Sequence, residues 1–317
     1  MTRRILFTDA VSPEHVQRLQ EAGCRVDIEP DMDYDTLLGV VAVYDALVVR
    51  SRFPIDRAVI DRGVRLRCIG RVGAGMETID VDYAGRRGIC CLNSPEGNRD
   101  AVGEHTVGLM LALCDKIARA DAEVRSGMWR REANRGMEVM GKTVGIIGFG
   151  NMGAAFARRL SGFGCQVLAY DILGLDATGF AQRMPHVRPA TLQQVQSCCD
   201  ILSLHVPLTD ATFHLVDAAF LQRLAKPAVL INTSRGAVVD TDALADALRQ
   251  GRLSGAALDV VEYENMERDS IASAEPEAWQ YIKQSQRTVL TPHVAGWTVE
   301  SKERLVATLV DKIIHTL

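Results

Sequence analysis

Short apolar runs alternate with helix-period stretches from the start of the chain. "RILFT" is followed by "SPEHVQRLQEAG", where Ser12 stands at an N-cap position, Pro13 suits the first helical turn and Gly23 suits the end. "YDALVVR", "LRCIGRVG", "VDYAGRRG" and "ICCLNS" continue the rhythm. Apolar strands separated by helices predict a parallel sheet with helices on its faces. "NSPEGN", Asn93 to Asn98, interrupts the pattern with Pro and Gly and reads as a linker. A long helical stretch is then predicted from about Arg99 to Ser126, and its apolar face "VGLMLAL" packs on its own domain or on a second subunit.

A second series begins at Lys142, with strands at "TVGIIG", "QVLAY", "ILSLHV", "AVLINT", "GAALDV" and "TVLTP". Two such series predict an α/β chain of two doubly wound, parallel-sheet domains. A capped helix, roughly Val299 to His315, closes the chain after a second hinge at "HVAGWT". Two neighbouring hinges would return that helix to the first domain. The expected domains are therefore 1–96 with 297–317, and 97–296.

Composition narrows the partners. With 317 residues, 47% of them apolar, the chain has material for two cores. A net charge of −4 gives no electrostatic footprint for nucleic acid or an anionic membrane. No run approaches the roughly 18 apolar residues of a membrane span, and the first is too short for a signal-peptide core. The 8 cysteines form no CxxC pair and lie mostly in or beside apolar stretches, as expected of reduced, buried thiols in a cytoplasmic protein. The 7 histidines show no zinc-type spacing, so no metal is expected.

One glycine turn carries specific chemistry. Gly148, Gly150 and Gly153 lie between the strand "TVGIIG" and a helix, with Asn151 and Met152 inside the turn. The first glycine permits the tight turn, the second lets backbone approach a pyrophosphate, and the third lets helix and strand pack closely. The helix N-terminus offers N–H groups and partial positive charge to phosphates. Asp171, ending the next strand, lies near the roughly 20-residue offset of a ribose-binding acid. Its carboxylate would repel a 2′-phosphate and "DILGLD" has no Arg to replace it, so NAD is favoured over NADP.

Arg235, Glu264 and His293 each follow a strand of the second series. Ligands of open α/β sheets gather at the carboxyl ends of strands. Beside a dinucleotide, the trio suggests hydride transfer to a 2-keto acid. Arg235 would hold the carboxylate, His293 would donate to the growing oxyanion, and Glu264 would orient the imidazole.

These stretches resemble the D-isomer-specific 2-hydroxyacid dehydrogenase family, which includes phosphoglycerate dehydrogenases. "RVGAGMETID", "GKTVGIIGFGNMG", "LHVPLT", "INTSRGAVVD", "GAALDVVEYE" and "TPHVAG" carry the likeness along nearly the whole chain. The resemblance implies a flavodoxin-like substrate domain and a Rossmann NAD-binding domain with a cleft between them. It makes Arg235, Glu264 and His293 catalytic, and Asp171 the NAD-selecting acid. It puts Asp259 near the nicotinamide amide, and His205, Val206, Pro207, Thr233 and Ser234 along the cofactor. The His205 side chain is read as structural or as an edge contact. For the substrate, the resemblance implies the backbone amides of Val72, Gly73, Ala74 and Gly75, with Arg50 and Ser51 nearby.

It further implies a homodimer through the NAD-binding domain and a small 2-hydroxy or 2-keto acid as substrate, 3-phosphoglycerate among them. Arg52, Arg71, Arg99 and Arg135 are candidate cations for a substrate phosphate, and Trp129 reads as packing or as part of a segment that reaches a partner subunit. Two departures stand out. Asn265 replaces a common Pro and opens a polar insertion to about Arg287, expected to reshape the rim near Glu264; Gly103 replaces a common Ala, read as packing. The alternative is an NAD(H)-sensing, corepressor-like regulator on the same fold with little turnover.

Overall fold

The computed structural model describes residues 2–175, 184–265, 270–271 and 276–317. Cα proximity divides the chain into two units, Met1–Asn98 with Thr298–Leu317, and Arg99–Trp297.

The first unit contains β1 (Arg3–Phe7), α1 (Pro13–Glu21), β2 (Cys24–Ile28), α2 (Tyr34–Val40), β3 (Ala46–Val49), α3 (Arg57–Arg62), β4 (Cys68–Arg71), α4 (Val81–Arg86) and β5 (Cys90–Asn93). Its five strands are all parallel in the order β2-β1-β3-β4-β5, the flavodoxin-like order. Alternate residues of the strands feed two cores. Leu6, Leu47, Val49 and Ile69 face one side, while Ile5, Phe7, Ala46, Val48 and Cys68 face the other with Leu305, Leu309 and Ile313 of the last helix. That close approach uses Gly70, where an added Cβ would stand 3.1 Å from a Leu309 methyl.

The second unit carries α6 (Ile117–Arg125), β6 (Thr143–Ile147), α7 (Asn151–Arg159), β7 (Gln166–Tyr170), β8 (Val187–Pro189), α8 (Leu192–Cys198), β9 (Ile201–Leu204), α9 (Ala218–Gln222), β10 (Ala228–Asn232), α10 (Thr241–Arg249), β11 (Leu253–Leu258), β12 (Glu264–Asn265), β13 (Ser270–Ile271), α11 (Glu277–Gln284) and β14 (Thr288–Leu290). The division between units falls within α5 (Pro95–Cys114), and α12 (Val299–Thr316) belongs to the first. Seven parallel strands run in the order β14-β11-β10-β9-β6-β7-β8, a Rossmann order with one further strand on its edge. The central strands β9 and β10 are buried at every position, which is why they read as unbroken apolar runs.

Several expectations need correction. "NSPEGN" is no linker: Pro95 opens α5, because a residue without an N–H is tolerated in a first helical turn. The long helix predicted from Arg99 to Ser126 is two helices, broken where Lys116 takes φ 55°. Ser12 occupies the N-cap position of α1, yet its hydroxyl donates to Glu303 at 3.1 Å instead of capping. Trp129 is 78% exposed, not packed. All eight cysteines are free, but only Cys24, Cys68, Cys114 and Cys199 are buried, whereas Cys90 and Cys198 are exposed. Burial pushes the Cys68 and Cys199 thiols up to about 12, which keeps them protonated and inert.

The polar insertion after Glu264 lies partly outside the described residues. Its visible parts are the pairing of Glu264 with Ile271 and the helix α11, which packs on α10 and buries Trp279 and Ile282. Among the described residues no helix is long and apolar enough to cross a membrane.

Candidate active site

The three glycines of the turn differ in what their missing side chains allow. Gly148 has φ +88°, and a Cβ there would lie 2.5 Å from the His205 carbonyl oxygen. A Cβ on Gly153 would lie 2.1 Å from the Gly148 oxygen, so that glycine closes the helix onto the strand. Gly150 is different: an added Cβ meets nothing within 4 Å. Packing does not require glycine there. It stands at the N-cap of α7, whose first turn no side chain caps, leaving room and N–H donors for an anion. The space therefore fits a dinucleotide pyrophosphate.

Asp171 lies beside this turn. Its Oδ2 accepts the Phe149 amide at 2.7 Å and its Oδ1 accepts the Leu173 amide at 3.0 Å. The acid thus locks the glycine loop at the end of β7. Ile172 and Leu173 follow it, 85% and 72% exposed.

Arg99 is one of the candidate cations for a substrate phosphate. Its Nη1 lies 3.5 Å from the Asn151 side chain, at the start of α7. Arg158 and Arg159 both engage Asp100 Oδ1, at 2.5 and 3.2 Å, leaving Arg99 3.9 Å from the other oxygen. Arg52 donates to the carbonyls of Pro30 and Thr8, Arg71 to Val72 at 3.0 Å, and Arg135 pairs with Glu132 at 2.6 Å.

His205 is buried, and burial lowers its pKa to about 3. Its Nε2 lies 2.9 Å from Ser203 Oγ. A neutral imidazole so far from titrating in the physiological range is no acid–base catalyst there. Val206 is half-buried and Pro207 exposed beyond it; Thr233 and Ser234 are buried.

The ends of β10, β11 and β14 are level. Asn232 pairs with Leu258, and Leu258 pairs with Leu290. Arg235 and His293 each come three residues beyond those ends, on strands flanking β11. Asn232 shapes the first tail: its Oδ1 accepts from the Ser234 amide and hydroxyl, and its Nδ2 donates to the Arg235 carbonyl at 2.9 Å. Gly236 lets this tail lie against the one from β11, since a Cβ would meet the Val261 carbonyl carbon at 2.0 Å. Glu264, on the β11 tail, places Oε1 3.1 Å from His293 Nδ1. That contact leaves the other ring nitrogen, Nε2, for a reacting group.

His293 itself takes φ 55°, uncommon for a residue with a side chain. Asp259 holds this turn. Its carbonyl accepts the His293 amide at 2.7 Å, Oδ1 accepts the Val294 amide at 2.9 Å, and Oδ2 accepts the Ala295 amide at 2.8 Å. At 1% exposure the acid is committed to the turn and presents almost no surface to a cofactor. Thr291 Oγ1 also donates to it at 2.6 Å. Burial pushes the Asp259 carboxyl up, but donors from His105, Thr291, Ala295 and Val294 outweigh this and hold it below the usual carboxylate range. Sequence reasoning gave no role to His105 or Thr291. Gly103, two residues before His105, is a packing residue as read: a Cβ would lie 2.9 Å from the Ala155 carbonyl carbon.

In the first unit, Arg50 and Ser51 follow β3, and Val72, Gly73, Ala74 and Gly75 follow the adjacent β4. The amides of Val72 and Gly73 donate to the Val49 and Arg71 carbonyls, both at 2.9 Å. The Ala74 carbonyl accepts from Asn93 at 2.7 Å.

A carboxylate-held imidazole three residues beyond a strand end of this sheet stands where ligands of dinucleotide-binding folds gather. The model of the D-isomer specific 2-hydroxyacid dehydrogenase NAD-binding domain matches residues 107–295. The chain belongs to that family, among its NAD-dependent oxidoreductases. It is similar to a glyoxylate reductase of Thermofilum pendens, 34% identical over 100% of this chain and 92% of the relative. It is 31% identical to a D-3-phosphoglycerate dehydrogenase of Archaeoglobus fulgidus over 98% of this chain, and spans only 57% of that protein's length. A crystal structure of D-lactate dehydrogenase from Aquifex aeolicus, complexed with NAD and lactic acid, aligns with TM-score 0.80 at 26% identity, covering 98% and 94% of the two chains.

Proposed function

We propose that the protein interconverts a small D-2-hydroxy acid and its 2-keto acid, with NAD as the hydride carrier. The carrying observation is the His293–Glu264 pair, 3.1 Å apart beyond neighbouring strands. Bound NADH supplies the hydride that reduces the carbonyl carbon. His293 donates its Nε2 proton to the developing alkoxide, and in the reverse direction takes the hydroxyl proton. Glu264 accepts from Nδ1, which fixes the orientation and tautomer of the ring. Arg235 binds the substrate carboxylate through its planar fork. In the first unit the amides of Ala74 and Gly75 are the better carboxylate donors, because those of Val72 and Gly73 are already committed to the Val49 and Arg71 carbonyls. Arg50 and Ser51 stay with the substrate residues.

For the cofactor, the α7 N-terminus and Arg99 take the pyrophosphate, Asp171 reads the ribose and selects NAD, and Ile172 and Leu173 offer an apolar face to the adenine. Val206, Pro207, Thr233 and Ser234 line the remainder, with His205 supporting the turn by its backbone. Asp259 serves the His293 turn more than the nicotinamide amide. A homodimer through this unit is part of the reading; Ile117 and Val124, seven residues apart on one face of α6, would form part of its contact. The corepressor alternative finds no support among relatives named as dehydrogenases and reductases.

The test is NADH oxidation with glyoxylate, pyruvate, hydroxypyruvate and phosphohydroxypyruvate. Turnover of one or more supports the reading and ranks the substrates. NADH binding without turnover of any 2-keto acid overturns it.

A further inference from the structure

A second histidine stands behind the His293 turn. His105 lies within α5, between exposed Glu104 and buried Thr106. Its Nε2 is 3.1 Å from Thr291 Oγ1 and 3.4 Å from Asp259 Oδ1. Thr291 is two residues before His293, and its hydroxyl donates to that same Oδ1. The three side chains therefore tie α5 to the tails of β11 and β14 at one buried carboxylate oxygen. The Val294 amide also points at this oxygen, so the carboxylate that receives His105 sets the backbone on the far side of the catalytic ring. Backbone in the left-handed region persists at a residue such as His293 only where the surroundings over-determine it.

We propose that His105 is a positioning residue for proton transfer: by holding Thr291 and Asp259 together it fixes the turn from which His293 presents its imidazole. This rests on the reading of His293 as the acid–base group. A neutral His105 suffices, because one ring N–H makes the bond. The chemistry asks for a donor at the place of Nε2, and the amide nitrogen of glutamine can occupy it.

The experiment compares His105→Gln, His105→Leu, Thr291→Val and the Leu/Val double variant. The readouts are kcat, the KM of the keto acid, the Kd of NADH, and the NMR signals of the His293 ring in the free protein. The Leu variant should lose about tenfold in kcat, the scale of one lost hydrogen bond to a charged group. KM and Kd should change less than about twofold, and Gln should recover kcat to within about threefold. Thr291→Val should act like the Leu variant, and the double should fall well short of the product of the two losses, since both break one network. The His293 signals should move with Leu and Val and stay in place with Gln.

Unchanged kcat and ring signals in the Leu variant would overturn the proposal, as would a Gln variant as impaired as Leu, or losses that multiply. If His105→Leu does not fold, Thr291→Val with wild-type kcat and ring signals overturns it. If the wild-type protein turns over no 2-keto acid, the assignment of the reaction fails, while the His293 signals still decide the positioning.

Discussion

The amide of His293 donates to the main-chain oxygen of Asp259 at 2.7 Å, joining the tail of β11 to a residue held at φ 55° beyond β14. The carboxylate of the same aspartate takes the next two amides, so one residue determines three successive N–H directions. Its ionised form is the one the turn requires. The folded-state pKa is lowered, so the stabilisation is present above the unfolded value of about 3.9 and is lost as pH falls through the folded value. Asp259→Asn should lower stability by about 1.5–3 kcal/mol near neutral pH. It should also flatten the decline of stability below about pH 4. Urea unfolding between pH 7 and pH 2 measures both; a variant as stable as wild type, with the same acid slope, would contradict this account.

His293→Gln removes the transferable proton but keeps a side chain of similar reach. Turnover should fall by about 10²–10⁴-fold, the general acid–base range. NADH affinity should hardly change. Steady-state kinetics with fluorescence titration of NADH separates the two, and undiminished turnover would take His293 out of the reaction.

The glycines allow a paired test. Gly150→Ala adds a methyl into open space at ordinary φ, so the free protein should unfold as before while the Kd for NADH rises about tenfold or more. Gly153→Ala forces a Cβ against the Gly148 oxygen, and should cost about 1–3 kcal/mol of stability. Thermal melts and NADH titrations of the two variants should show opposite patterns. Equal destabilisation by both would refute the division of labour.

Asp171→Ala should narrow the preference for NAD over NADP, because the charge that repels a 2′-phosphate is gone. It should also loosen the glycine loop, since the Phe149 amide loses its acceptor. The ratio of kcat/KM for the two cofactors reads the first effect. A ratio that does not move means that Asp171 does not read the ribose.

What was legible in the sequence followed burial. Strands β6, β9, β10 and β11 are covered on both faces, so their apolar runs are continuous and easily read. Strand β2 is an edge strand with only Cys24 fully buried, and "CRVDI" carries no comparable signal. Strand β8, "VRP", is three residues at an edge of the seven-stranded sheet. The break at Lys116 has neither Gly nor Pro to announce it. The pairing of His293 with Glu264 was legible because both follow strands, and strand ends are where ligands gather in such sheets; Arg235 follows a strand as expected, with its guanidinium on the Ser234 carbonyl. His105 was not, because its partner Thr291 lies 186 residues away and a polar residue in an apolar helix looks the same whether it packs or binds.

Level strand ends turn loop length into a ruler. Arg235 and His293 each stand three residues beyond level strand ends, so one residue added to either tail would turn its side chain in a different direction.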